Sequence, residues 1–249
     1  MENVFNKYCL FSALYILFML YGCNQVNMIE GNGTVTSQSK VTGSFEEISI
    51  VDNYQVLLEK SIREEVLIEA DENLHEYIAV EVKKGKLIIK NTTRLKGSEP
   101  VKITIFYQNI DGIDVSGAAL INNNDVLKSN DLEMELSGAG IINLELECSN
   151  LNLALSGAGM ITLQGYANSN TMDLSGAGNL DAGKLVSKKC KVQLSGFGSA
   201  VVHATESLKA EVDGAGVIKY YGNPAKIDKK VDGLGNVMPA KKSEEKESI

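Results

Sequence analysis

Ser137-Gly138-Ala139-Gly140 returns down the chain as Ser156-Gly157-Ala158-Gly159, Ser175-Gly176-Ala177-Gly178, Ser195-Gly196-Phe197-Gly198, Asp213-Gly214-Ala215-Gly216 and Asp232-Gly233-Leu234-Gly235. A variant, Ser116-Gly117-Ala118-Ala119, precedes them. Successive copies begin 21, 19, 19, 20, 18 and 19 residues apart. A fixed period of about 20 residues marks a solenoid, in which one coil cannot bury its own apolar face and must stack on the next.

With the Ser or Asp of each motif as position zero, the interior can be read slot by slot. Position −1 holds Val115, Leu136, Leu155, Leu174, Leu194, Val212 and Val231. Position −3 holds Ile113, Met134, Leu153, Met172, Val192 and Ala210, then Lys229, which breaks the pattern. Position −5 is mostly apolar, with Leu132, Leu151, Cys190, Leu208 and Ile227. These slots alternate with polar neighbours, the period of a strand with one buried face. Position +2, usually alanine, and position +5, usually isoleucine or leucine, each follow a step of three residues. Those odd steps predict a sharp corner with the +2 side chain turned inward and glycines at +1 and +3 in positive-φ conformations. On that reading, Phe197 at +2 is offset in volume by Ala200 at +5.

The expected fold class is therefore all-β: a parallel β-helix of about 20 residues per coil over residues 111–238, preceded by an N-terminal β region at 41–110. That region carries short apolar runs such as Phe45–Ile50, Val66–Ile68 and Val101–Phe106. It reads either as a separate sandwich or as irregular first coils that cap the solenoid. Right-handed coiling is expected from the preference of parallel crossovers.

Outside the repeats, the chain reads as an exported protein. Lys7 precedes an apolar run from Tyr8 to Tyr21, too short for a span of about 20 residues, and the run ends at Leu20-Tyr21-Gly22-Cys23. This matches a bacterial lipobox, with residues 1–22 as signal peptide and Cys23 as the lipidated first mature residue. Residues 23–40, polar with Gly31 and Gly33, read as a tether, and residues 239–249, rich in Lys and Glu, as a disordered tail. The expected location is the outer membrane, facing either the cell surface or the periplasm. Cys9 would leave with the signal, while Cys148 and Cys190, on different coils, read as buried free thiols.

Composition narrows the function classes. A net charge of −8 without a basic run gives no footprint for nucleic acid. The glycine motifs lack the Lys-Ser/Thr closure and following helix of a phosphate loop, and none reads as a nucleophile elbow. The serines of the repeat predict a hydroxyl ladder bonding at the corner, with Asp213 and Asp232 as replacement acceptors. The two histidines, His75 and His203, read as surface residues. Glu133, Glu135, Glu145, Glu147, Asp173 and Glu211 take outward positions and read as a solvated face, and Tyr220 or Tyr221 could stack a sugar in a chain without tryptophan. No catalytic, cofactor or metal residues are expected.

An exported N-terminus, Phe45-Glu46-Glu47-Ile48, the turn and strand Lys84-Gly85-Lys86-Leu87-Ile88-Ile89, and the serial SGxG copies stand in order over residues 41–235. Together they resemble the putative auto-transporter adhesin, head GIN domain family. The resemblance implies a β-helix-like fold and an adhesin role, and supplies no catalytic residues. Three readings follow: a non-catalytic, membrane-anchored recognition or adhesion module for an unknown envelope ligand; a β-helical polysaccharide-active enzyme; and a periplasmic structural protein.

Overall fold

The computed structural model describes residues 28–240. The expected signal peptide, the expected lipidation site Cys23, the first residues of the tether reading and residues 241–249 lie outside that range.

The N-terminal strands are β1 (Met28–Glu30), β2 (Val35–Val41), β3 (Glu47–Ile50), β4 (Tyr54–Lys60), β5 (Glu65–Asp71), β6 (Ile78–Lys83), β7 (Lys86–Asn91), β8 (Arg94–Lys96) and β9 (Lys102–Tyr107), with a 3-10 turn at Glu72–Tyr77. The repeats form β10 (Gly112–Val115), β11 (Ala118–Asn123), β12 (Leu127–Leu136), β13 (Ala139–Leu155), β14 (Ala158–Leu174), β15 (Ala177–Leu194), β16 (Phe197–Val212), β17 (Ala215–Tyr221), β18 (Lys226–Val231) and β19 (Leu234–Pro239). From residue 112 to 239 they make a β-solenoid of about seven turns, its neighbouring pairs parallel and in register apart from shifts at Thr162/Gln164, Asp181/Val186 and Ser187/Lys189. Ala139 sits on Ala158, Ala158 on Ala177, Ala177 on Phe197 and Phe197 on Ala215, so each column repeats one slot of the motif.

The N-terminal region continues this stack and then closes it. β3 and β4 form a further coil without the glycine motif, pairing in parallel with β10 and β11 on one side and with β7 and β9 on the other. Beyond them the pairing turns antiparallel: β6 on β7, β5 on β9 and β2 on β5. One hydrophobic core runs through both parts, from Phe45 to Val237. Of the two sequence readings, the capped continuation is correct.

The tether reading of 23–40 is corrected from Met28 onward. β1 pairs with β8, and β2 pairs along its whole length with β5. β2 looks like linker because it is an edge strand with mostly exposed side chains. Its backbone hydrogen bonds hold it without an apolar face, helped by Lys40 Nζ donating to the Ile78 carbonyl at 2.9 Å. The tail reading also begins late, since Pro239 closes β19 and Ala240 N–H donates to the Tyr220 carbonyl at 2.8 Å.

The corner at the motif differs from expectation. Alternation is not broken there: Leu155 and Ile161 are buried, Ala158 is exposed, and Gly157 and Gly159 hold the inward parity between them. The +2 column therefore points to solvent, and Phe197 is 70% exposed, so Ala200 offsets nothing. Among the repeat glycines only Gly198 has a positive φ, 142°. The others are required by close approach. A Cβ on Gly159 would come within 2.9 Å of Leu136 Cδ2 in the coil beneath, and one on Gly140 within 2.7 Å of the Ala119 carbonyl oxygen. The true break in alternation falls on the far side of the coil, where Ser149 and Asn150 are both exposed between buried Cys148 and Leu151.

Candidate functional site

Each motif is fixed by its backbone. The N–H groups of Ser156 and Gly157 both donate to the Leu136 carbonyl, at 3.0 and 3.1 Å, and Ala158 N–H donates to the Gly138 carbonyl at 3.0 Å. The same three bonds recur one coil later at Ser175, Gly176 and Ala177. The serine hydroxyls take no part. Among the described residues no hydrogen bond joins the Oγ atoms of Ser137, Ser156, Ser175 and Ser195, which form an exposed column. Asp213 and Asp232 do not replace them as turn acceptors: Asp213 accepts from Gln193 Nε2 at 3.2 Å, and Asp232 pairs with Lys230 at 2.5 Å.

What the backbone presents is a flat outward strip beside the serine column. Its first column is alanine in most coils, with Phe197 and the 88% exposed Leu234. Two residues on, Ile141 and Met160 are also exposed, 44% and 48%. Ala177 and Ala215 flank Phe197, and Ala215 lies beside Leu234, so these two stand clear of the surface, while Ile141 and Met160 stack on each other in register. Sequence reasoning missed the strip because it assigned the +2 alanines to the interior; the uninterrupted alternation through glycine was the available signal.

On the other side of the serine column lie the outward residues of the buried −1, −3 and −5 strands. Glu133, Glu135, Asp173 and Glu211 stand here, whereas Glu145 and Glu147 belong to another part of the coil. Glu147 pairs with Lys128 at 2.8 Å, Glu211 with Lys209 at 2.8 Å, and Glu145 accepts from Gln164 Nε2 at 3.2 Å. The Lys209 pair lowers the Glu211 carboxyl and raises the Lys209 ammonium. Around Glu133 the surface forms an open groove of about 450 Å³, lined by Glu47, Asp114, Asp131, Glu135 and Lys86. A second shallow groove, about 240 Å³, carries Lys189, Lys191, Lys209 and Lys226.

Of the two histidines, His75 is not a surface residue. His75 is buried under β2, where Nε2 donates to the Thr36 carbonyl at 3.1 Å and lies 3.0 Å from Thr36 Oγ1. Its Nδ1 is buried without a hydrogen-bond partner. His203 is half-buried in the solenoid, its Nδ1 donating to the Gly183 carbonyl at 3.3 Å and its ring 6.1 Å from that of Tyr221. Tyr220 cannot serve as an exposed platform, because it is buried and its hydroxyl accepts from Lys229 Nζ at 3.1 Å. Cys148 and Cys190 are free and buried, and burial pushes their thiols up to about 11 and about 12. Among the described residues no three His, Cys, Asp or Glu side chains form a group able to hold a metal ion.

The family model "Putative auto-transporter adhesin, head GIN domain" matches residues 44–224, from just before β3 to just beyond β17 in the sixth coil of the solenoid. The chain belongs to this family. Among solved structures, a putative adhesin from Bacteroides fragilis is 25% identical, with a TM-score of 0.82 over 85% of this chain and all of its own. A putative adhesin from Parabacteroides merdae, 22% identical, aligns with a TM-score of 0.67 over 86% of this chain and all of its own. A putative lipid binding protein from Parabacteroides distasonis, 23% identical, aligns at 0.66 with the same coverage. These last two share the fold. No curated protein matches the chain. For an adhesin-family protein, the long outward faces of the solenoid are the candidate site.

Proposed function

We propose that this protein is a non-catalytic, lipid-anchored recognition or adhesion module of the bacterial cell envelope. The observation that carries the reading is the exposed apolar strip of Ile141, Met160, Phe197 and Leu234 on a flat, register-locked face. Contiguous exposed apolar surface marks interaction sites, and the unbroken +2 column of alanines with Phe197 and Leu234 joins these side chains into one such surface. The strip is held by backbone hydrogen bonds and a continuous core rather than by loops, so it is organised before any partner arrives. Family membership supports the adhesin role. The N-terminal Leu20-Tyr21-Gly22-Cys23 supports attachment through a lipid on Cys23, with the solenoid standing off an outer membrane.

Protease shaving of intact cells tests the placement. Loss of the chain while a periplasmic control survives supports a surface module, and protection turns the solenoid inward. Cys23→Ser is expected to release the chain from the membrane fraction; continued attachment would rule out the anchor. Phe197→Ser with Leu234→Ser is expected to lower binding to cells or matrix about tenfold or more while leaving folding unchanged, as loss of central apolar contacts does.

A further inference from the structure

The outward columns at −6, −4 and −2 are sorted by charge along the solenoid. The second coil carries Asp131, Glu133 and Glu135. The third carries Asn150, Asn152 and Ala154, and the fourth Ser169, Thr171 and Asp173. The fifth carries Lys189, Lys191 and Gln193, the sixth Ser207, Lys209 and Glu211, and the seventh Lys226, Asp228 and Lys230, so the basic excess rests on the fifth and seventh coils. An acidic end, a nearly neutral middle and a basic end thus share one flat sheet face of a protein whose net charge is −8. The charges that matter are available: among the described residues no side-chain hydrogen bond or close ion pair holds Glu133, Lys189 or Lys191, though Lys86 lies near Glu133 and Glu211 near Lys191, and Asp131 accepts only from Asn150 Nδ2, at 2.7 Å. Lys191 also sits in register on Lys209, a like-charge neighbour that an opposing anion would relieve.

We propose that this face pairs with the same face of a second copy, antiparallel, across a two-fold axis lying parallel to the strands between the third and fourth coils. That operation keeps each column opposite itself and exchanges the second coil with the fifth. Asp131 and Glu133 of each copy then meet Lys189 and Lys191 of the other, four ion pairs in all, with Asn, Ser and Thr side chains meeting at the centre. Across sheets stacked about 10 Å apart, a lysine bent along the face reaches the facing carboxylate. Two like-charge contacts arise: Asp114 falls opposite Glu211, which Lys209 neutralises in its own chain at 2.8 Å, and Glu47 falls opposite Asp228, where Lys86 pairs with Glu47 at 2.9 Å. Eight coils at about 4.8 Å and a strand width of about 16 Å give roughly 1,200 Å² buried over both copies, enough for a specific interface. The association is isologous and closed, so it stops at two.

The inference deepens the adhesion reading and rests on N-terminal anchoring. Antiparallel solenoids place their N-termini at opposite ends of the pair, so two anchored copies whose solenoids stand off the membrane, as proposed above, belong to two facing membranes. The partner of the adhesin is then the same chain on a neighbouring cell.

The test uses the full-length chain in density-matched detergent, followed by sedimentation equilibrium at low and high salt. The forms compared are wild type, Asp131→Lys with Glu133→Lys, and Lys189→Glu with Lys191→Glu. All four sites are exposed, and circular dichroism should show an unchanged β spectrum in each form. Wild type is expected to dimerise at low salt and dissociate at high salt. Each reversed form alone should bind itself about tenfold or more weakly, and an equal mixture of the two should restore the wild-type affinity as a heterodimer. A monomeric wild type at low salt, or a mixture no tighter than its components, overturns the pairing. In either case, unchanged binding of the wild type to cells lacking the protein would leave the recognition reading standing, with a different partner.

Discussion

A Cβ added to Gly157 would land on the Gly138 carbonyl oxygen of the coil beneath and 2.5 Å from that of Ser137. Gly157 is therefore glycine because the neighbouring coil occupies the space, and a methyl group is already too much. Its neighbour Ala158 faces solvent. Gly157→Ala is expected to destabilise the fold by about 2–4 kcal/mol, in the range of severe overpacking, whereas Ala158→Val should change it by less than about 0.5 kcal/mol. Urea unfolding of the two variants checks the pair; equal midpoints would show that the coil-to-coil contact is not what selects glycine.

In the −5 column, Asn170 replaces the apolar residue found in most coils and is 2% exposed. Its amide donates to Ser187 Oγ, also buried, while its own Oδ1 has no partner. Removing only Ser187 orphans the amide as well, so Ser187→Ala should cost about 1–3 kcal/mol. Asn170→Leu combined with Ser187→Ala removes both ends and fills a slot held by Leu151 and Cys190 in the adjoining coils. That double variant should be at least as stable as wild type. A double-mutant cycle on thermal unfolding gives the coupling, and additive losses would contradict it.

The solenoid was legible because every coil returns the same residue types to the same columns, so Leu136, Leu155, Leu174 and Leu194 betray the stack without any contact being known. The outward strip was not, because glycine has no side chain to mark its direction; Gly157 and Gly159 carry the inward parity invisibly, and the intervening alanine was taken for core. β2 was hidden for a different reason. A polar edge strand is specified by its partner β5 and not by its own pattern. His75 was likewise unreadable, since only the return of β2 over the 3-10 turn buries it. The charge sorting was present in the sequence all along, but it acquires meaning only when register places Asp131 and Lys189 in one column three coils apart.

Asp71 ties the cap together: it accepts from Gly33 N–H at 2.8 Å, Ser98 N–H at 2.7 Å and Ser98 Oγ at 2.6 Å. The Ser98 hydrogen bonds lead in holding its carboxyl below the ordinary value, against the opposing effect of burial. A folded-state pKa below the unfolded one gives stability that is full above the unfolded value and is lost as pH falls through the folded one. The melting temperature of wild type should therefore drop as pH falls below the ordinary carboxylate range, and Asp71→Asn should flatten part of that drop. Parallel pH profiles for the two proteins would remove Asp71 as a source of acid sensitivity.

At the other end of the stack, Lys229 occupies the −3 slot that holds Ala210 in the coil beneath it. Its ammonium donates to Tyr220 Oη at 3.1 Å and sits 4.7 Å from the centre of that ring, over a core where Ile227 and Val231 are 45% and 43% exposed. An inward-pointing charge on a last strand blunts the edge, and Pro239 on β19 removes a donor from it. Lys229→Val restores the apolar slot while keeping the strand, so the variant should fold and then assemble end to end. Light scattering should show a several-fold rise in particle mass with concentration that high salt does not reverse, unlike pairing through the charged face. A Lys229→Val chain that behaved as wild type at every concentration would mean that the open end is protected by something other than its lysine.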